Sequence, residues 1–109
     1  MHTNMLQGWY YDPLHGGCLR RLRRTSRDRY RITGVYGDDE PHTGGSWYAL
    51  VTAAPADGTT EERIDLQVDF VGKPSKSNRL MTARWSGRRI YWDDGNVWQM
   101  LHVSSEQLR

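Results

Sequence analysis

Seven arginines crowd into thirteen residues of this chain, with Arg20, Arg21, Arg23, Arg24, Arg27, Arg29 and Arg31 all falling between Leu19 and Arg31. A guanidinium group is planar and permanently charged. It makes paired hydrogen bonds to a carboxylate or phosphate, and it stacks on aromatic faces. Two chemistries follow. In the first, these arginines pair with carboxylates inside the fold. In the second, they face the phosphates and bases of a nucleic acid, or another polyanion. The charge distribution supplies partners for the first: the net charge is +2, yet residues 1–36 carry +5, residues 37–72 carry −7 and residues 73–109 carry +4. Asp38, Asp39, Glu40, Asp65 and Asp69 lie in the acidic third. Internal pairing is therefore the first expectation, and anion or nucleic-acid binding through the Arg20–Arg31 segment the second.

Tryptophan and tyrosine form the other chemically distinctive set. Five Trp and six Tyr stand against a single Phe, and both abundant types bury large areas while keeping a polar group that needs a partner. Trp9, Tyr11, Trp47, Trp92 and Trp98 are the candidates for an aromatic rim that holds a small ligand or a partner protein, since Trp, Tyr and Arg are enriched where binding energy concentrates.

Catalytic patterns are weak by comparison. His2, His15, His42 and His102 show no metal-ligand spacing, and neither CxxC nor HxxxH occurs. An enzyme would need His15, Cys18 or His42 to converge with a carboxylate. Cys18 reads more simply as a small core residue. Gly72-Lys73-Pro74-Ser75 lacks the upstream glycine of a phosphate loop and has Pro where Ser or Thr should follow Lys. Asp93-Asp94 suits a turn. No catalytic residue, metal ligand or cofactor is assigned.

The elements that must position these residues are strands. Breaks rich in Gly, Pro, Asp and Ser recur about every ten residues, the spacing of sandwiches and barrels. Strands are expected at about 6–11, 18–24, 29–36, 46–53, 62–71, 79–85, 88–92 and 96–102. Arg63 to Phe70 alternates polar and apolar residues without a fault, the period of a strand with one wet and one dry face. Tyr30, Ile32 and Tyr36 share a face, as do Trp47, Ala49 and Val51, then Met81, Ala83 and Trp85. Ile90 with Trp92, and Trp98 with Met100, complete the pattern. Asp94-Gly95 or Gly95-Asn96 would turn a hairpin that brings Trp92 and Trp98 together. Arg20 and Arg24 fall on one face with Cys18 and Leu22, and Arg21 with Arg23 on the other. Short connections favour a meander of sequential strands, and eight such strands hide both edges by closing. The expectation is one all-β domain over residues 1–109, an up-and-down antiparallel barrel or curled sheet, with 104–109 as a helical turn or frayed tail. Its interior would be filled by side chains or just wide enough for one small ligand.

Met1 to Leu6 has neither a basic nor an apolar signal-peptide region, and the single Cys18 forms no intrachain disulfide. No apolar run approaches the roughly 18 residues of a membrane helix. A soluble cytoplasmic protein is expected, with no membrane partner.

The opening of the first strand, Gly8-Trp9, is similar to that of calycin-type barrels, the lipocalins and avidin-like proteins. That resemblance implies a barrel with Trp9 packed across its base. Gly17-Cys18-Leu19-Arg20-Arg21, Gly34 to Glu40 and Arg89 to Trp98 resemble small uncharacterised domains of algae and marine microbes or their viruses, which implies no activity and brings no functional residues. The leading expectation is a non-enzymatic binding module. It would recognise a partner protein or small ligand through an aromatic and Arg-rich rim. Nucleic-acid binding comes second and a small enzyme third. The surplus aromatics also suggest association as a homodimer.

Overall fold

Alternation of inward and outward side chains along the strands sets which residues meet inside the protein. A computed structural model describes residues 5–15, 19–35, 45–55, 63–74 and 76–101. Eight strands form: β1 (Gly8–Tyr11), β2 (Leu19–Ser26), β3 (Arg29–Val35), β4 (Ser46–Pro55), β5 (Arg63–Gly72), β6 (Leu80–Ser86), β7 (Arg89–Trp92) and β8 (Val97–Met100). A 3-10 turn, Pro13–His15, follows β1. Every pairing is antiparallel, the strands pair in sequence order, and β1 closes on β8 through Tyr10↔Met100 and Tyr11↔Gln99. The expected all-β meander is thus a small closed barrel. Strand β2 runs two residues beyond the expected 24, because a bulge between Arg24 and Ser26 carries it into the turn. There the Arg24 Nε–H donates to the Ser26 and Arg27 carbonyls, at 3.1 and 3.3 Å.

The lumen is packed. Leu22, Ile32, Ala49, Val51, Leu66, Val68 and Met81 fill its middle, all buried, and each large side chain taken out of water contributes about 1.5–3 kcal/mol. The faces expected for Tyr30 with Ile32, and for β4, β6, β7 and β8, all point inward. At one end, Tyr10, Tyr30, Trp85 and Ile90 close the barrel with Leu6 beneath them. The Tyr10 hydroxyl donates to the Leu6 carbonyl at 2.7 Å. Burial pushes this phenol's pKa up, since a phenolate there would lose its hydration.

The place that the calycin resemblance implies for Trp9 is corrected. Trp9 is exposed on the outer surface, and Tyr10 is the fully buried residue of β1. Pairing decides this: Tyr10 lies opposite Arg20 and Met100, both inward, so its neighbours Trp9 and Tyr11 point out. Tyr36, Cys18, His2, His42, His102, the acids Asp38, Asp39 and Glu40, and the tail 104–109 lie outside the described residues.

Candidate functional site

At the opposite end the barrel is not sealed by apolar contacts alone. Strand β2 sends Arg20 inward, where its register partner on β3 is Gly34, itself opposite Trp47 of β4. The glycine makes room: a Cβ at position 34 would sit 2.5 Å from Trp47 Cζ2 and 3.1 Å from Arg20 Cδ. Arg20 is 1% exposed. Its guanidinium carbon lies 5.0 Å from the Trp47 ring centroid and 5.7 Å from that of Trp98. From Trp47 the aromatic contacts continue to Phe70 (5.8 Å), Trp92 (5.6 Å) and Trp98 (4.8 Å). Four rings and one guanidinium therefore close a circle around the lumen. The expected meeting of Trp92 and Trp98 is part of it.

Loops add charge to this circle. After β5 the chain turns through hydrogen bonds from Lys73 N–H to the Phe70 carbonyl and from Lys76 N–H to the Lys73 carbonyl, both 3.0 Å. This places Lys73 Nζ over Trp47 at 4.7 Å and Lys76 Nζ over Phe70 at 5.3 Å. An ammonium over an aromatic face is attracted by the ring quadrupole, the more so where water is excluded. Asp12, buried at the end of β1, faces Arg20 at 3.4 Å. Its Oδ1 also accepts from the Leu14 backbone N–H at 3.0 Å and from Asn96 Nδ2–H at 3.1 Å. Asn96 belongs to the β7–β8 turn, which Gly95 completes at φ +93° and Asp94 Oδ1 caps by accepting from Asn96 N–H. The Asp93-Asp94 pair is thus a turn former, with Asp93 Oδ2 accepting from Thr82 N–H and Oγ1–H.

Between these groups lies a cavity of about 280 Å³. Arg20, Lys73 and Lys76 line it against two carboxylates, Asp12 and Asp94, with Trp47, Phe70, Trp92 and Trp98 as walls. Among the described residues, the buried indole N–H groups of Trp47 and Trp92 have no acceptor. Leaving such a donor unsatisfied costs about 1–3 kcal/mol. Three cations and apolar walls can hold an anionic group attached to a flat apolar body. Among the described residues no cluster of His, Cys, Asp and Glu could hold a metal ion.

Of the aromatic candidates, the structure brings together Trp47, Trp92 and Trp98; Trp9 and Tyr11 lie on the outer wall. The arginine segment divides three ways. Arg20 is inside, Arg24 clamps the β2–β3 turn with Arg27 at its tip, and Arg21, Arg23, Arg29 and Arg31 point outward. The expectation that Asp65 and Asp69 neutralise this segment is overturned. Asp65 pairs with Arg84 at 3.0 Å and Asp69 with Arg79 at 2.7 Å, both supplied by the β6 side, because β5 hydrogen-bonds to β6 with Asp65 opposite Arg84. Two hydrogen bonds from Arg79 hold the Asp69 carboxyl below its ordinary pKa. Lys73, Lys76, Asp12, Asn96 and Gly34 were not singled out by sequence reasoning as site residues. Gly72-Lys73 was the one signal, and it fails as a phosphate loop while still delivering a lysine to the cavity. No protein-family model, curated protein or solved structure matches this chain.

Proposed function

We propose that the chain is a non-enzymatic binding module that takes a small anionic, ring-bearing molecule into the tryptophan-lined end of its barrel. The observation that carries this reading is the convergence of three cations and four aromatic walls on one cavity. The ring faces already carry the protein's own cations, so a cationic guest would meet like charge and an anionic one would be attracted. The volume, about 280 Å³, lies at the lower limit of small-molecule pockets, roughly 300–1,000 Å³. A single ring bearing one carboxylate or phosphate fits that size. Asp12 is committed to Arg20, Leu14 and Asn96. It holds the cavity wall in place, which suits it poorly to proton abstraction.

Titration with phenyl phosphate and benzoate, followed by tryptophan fluorescence and calorimetry, tests the proposal, with benzyl alcohol as the neutral counterpart. We expect saturable binding of one anion per chain, at least about tenfold tighter than the alcohol, equivalent to about 1.4 kcal/mol. Lys76→Gln should weaken the anions and leave the alcohol unchanged. Equal affinity for all three compounds, or indifference to Lys76→Gln, overturns the anion reading.

A further inference from the structure

The outer wall of the barrel carries a second pattern, independent of the cavity. Strands β1 to β4 point Arg21, Arg23, Arg29 and Arg31 outward and contain no Asp or Glu. Register aligns Trp9, Arg21, Thr33 and Tyr48 in one row across them, and Arg23, Arg31 and Leu50 in the next. With neighbouring strands about 4.8 Å apart, Trp9 and Tyr48 stand about 14 Å apart along the sheet. Each has a guanidinium on it: Arg21 lies over Trp9 at 5.3 Å and Arg31 over Tyr48 at 4.1 Å. Tyr48 is held across Gly72 of β5, where any Cβ would collide with its ring.

Two features set this face apart from an ordinary solvated one. Arg23 and Arg31 are direct cross-strand partners, and like charges in that position oppose folding. Among the described residues, the carboxylates across β4, Asp65 and Asp69, are engaged by Arg84 and Arg79, so neither offsets that repulsion. A surface that keeps facing arginines beside an exposed tryptophan, and keeps acids off four successive strands, is complementary to a chain of phosphates with flat bases between them. Such chains are bound by a basic track plus aromatic or guanidinium stacking planes. We propose that the outer face of β1–β4 binds single-stranded nucleic acid, with Trp9 as the stacking position and Arg21, Arg23 and Arg31 on the phosphates.

The test is fluorescence anisotropy of a labelled twelve-nucleotide oligouridylate and the matching oligothymidylate, from 50 to 300 mM NaCl. Saturable binding is expected, its logarithm falling linearly with the logarithm of salt by about 0.7 per phosphate neutralised. Trp9→Ala should weaken binding about tenfold or more, the loss of one stacked base, and leave the salt slope unchanged. Arg23→Gln with Arg31→Gln should flatten the slope by about 1.4. Both positions are exposed, and circular dichroism checks that the variants are folded; Trp9→Phe should restore part of the affinity. No binding at 50 mM salt overturns the proposal. So does binding that is indifferent to Trp9→Ala and matched by inorganic polyphosphate, which would mark a general polyanion surface. Loss on Trp9→Ala of binding to phosphatidylserine vesicles but not to the oligonucleotides would mark a lipid surface and overturn it too.

Discussion

At one end of the barrel Tyr10, Tyr30, Trp85 and Ile90 fill the lumen; at the other Trp47, Phe70, Trp92 and Trp98 line it around a buried arginine. Both ends use large aromatic side chains with polar tips. At the closed end the Tyr10 hydroxyl has the Leu6 carbonyl as acceptor, and the aromatic surface is spent on packing. The Trp85 indole beside it falls short of hydrogen-bond geometry with the phenol yet lies close enough to favour its ionised form slightly. At the open end the rings serve as faces for Arg20, Lys73 and Lys76 and surround about 280 Å³ of space. Well-packed interiors seldom leave such space or such charge. The difference marks the first end as packed core and is the ground for the binding proposed at the second.

Truncation at the closed end should therefore cost the most. Trp85→Ala is expected to destabilise the barrel by about 3–5 kcal/mol in denaturant titrations, while the folded fraction keeps its affinity for phenyl phosphate. At the open end, Gly34→Ala forces a Cβ to within 2.5 Å of Trp47. Replacing glycine in a strand ordinarily stabilises by roughly 0.5–1 kcal/mol; here the clash should win, for a net loss of about 1–3 kcal/mol. Displacement of Trp47 should also shift the tryptophan emission and weaken the anion. A Gly34→Ala protein with greater stability and unchanged binding would mean that Trp47 and Arg20 are free to move, and the two ends would no longer differ as described.

Proton linkage probes the closed end from another side. Burial raises the Tyr10 phenol above its unfolded value of about 10. Below pH 10 both states hold the proton and its contribution is fully present. Above pH 10 the unfolded chain loses the proton first, so stability should fall by about 1.4 kcal/mol per pH unit until the folded pKa is reached. Tyr10→Phe should cost about 1 kcal/mol at pH 7 through the lost hydrogen bond, and its stability should decline less steeply above pH 10 in chemical denaturation. An unchanged alkaline slope would show that the Tyr10 site is wet.

The strands and their closure were readable because β3, β5, β6 and β8 each have a polar residue between apolar ones, which fixes parity without any partner. Gly8-Trp9-Tyr10-Tyr11 has no such contrast. Only its pairing with Arg20 and Met100 determines that Tyr10 is the inward ring. The Arg-rich strand shows the same limit. Alternation groups Arg20 with Leu22 on one face, but a charged residue beside a single leucine does not declare that face dry. The cavity needed still more distant information. Asn96 Nδ2 reaches Asp12 Oδ1 across 84 positions, and Lys73 meets Trp47 only because β5 lies beside β4 with Tyr48 opposite Gly72. Asp65 and Asp69 likewise chose Arg84 and Arg79 through the β5–β6 register and the loop before β6, which charge totals along the chain do not encode.

The smallest stability effect should carry the most information. Trp92→Phe keeps a ring against Phe70 and Trp98 and removes an indole N–H that has no acceptor. Loss of packing costs about 1–2 kcal/mol by area, and relief of the unsatisfied donor returns about 1–3 kcal/mol. The two should leave stability within about 1 kcal/mol of the parent. Affinity for phenyl phosphate, by contrast, should fall, because the smaller ring leaves part of the cavity wall without contact to the guest. A variant that loses several kcal/mol of stability and still binds the anion normally would make the open end a second piece of core, equivalent to the closed one.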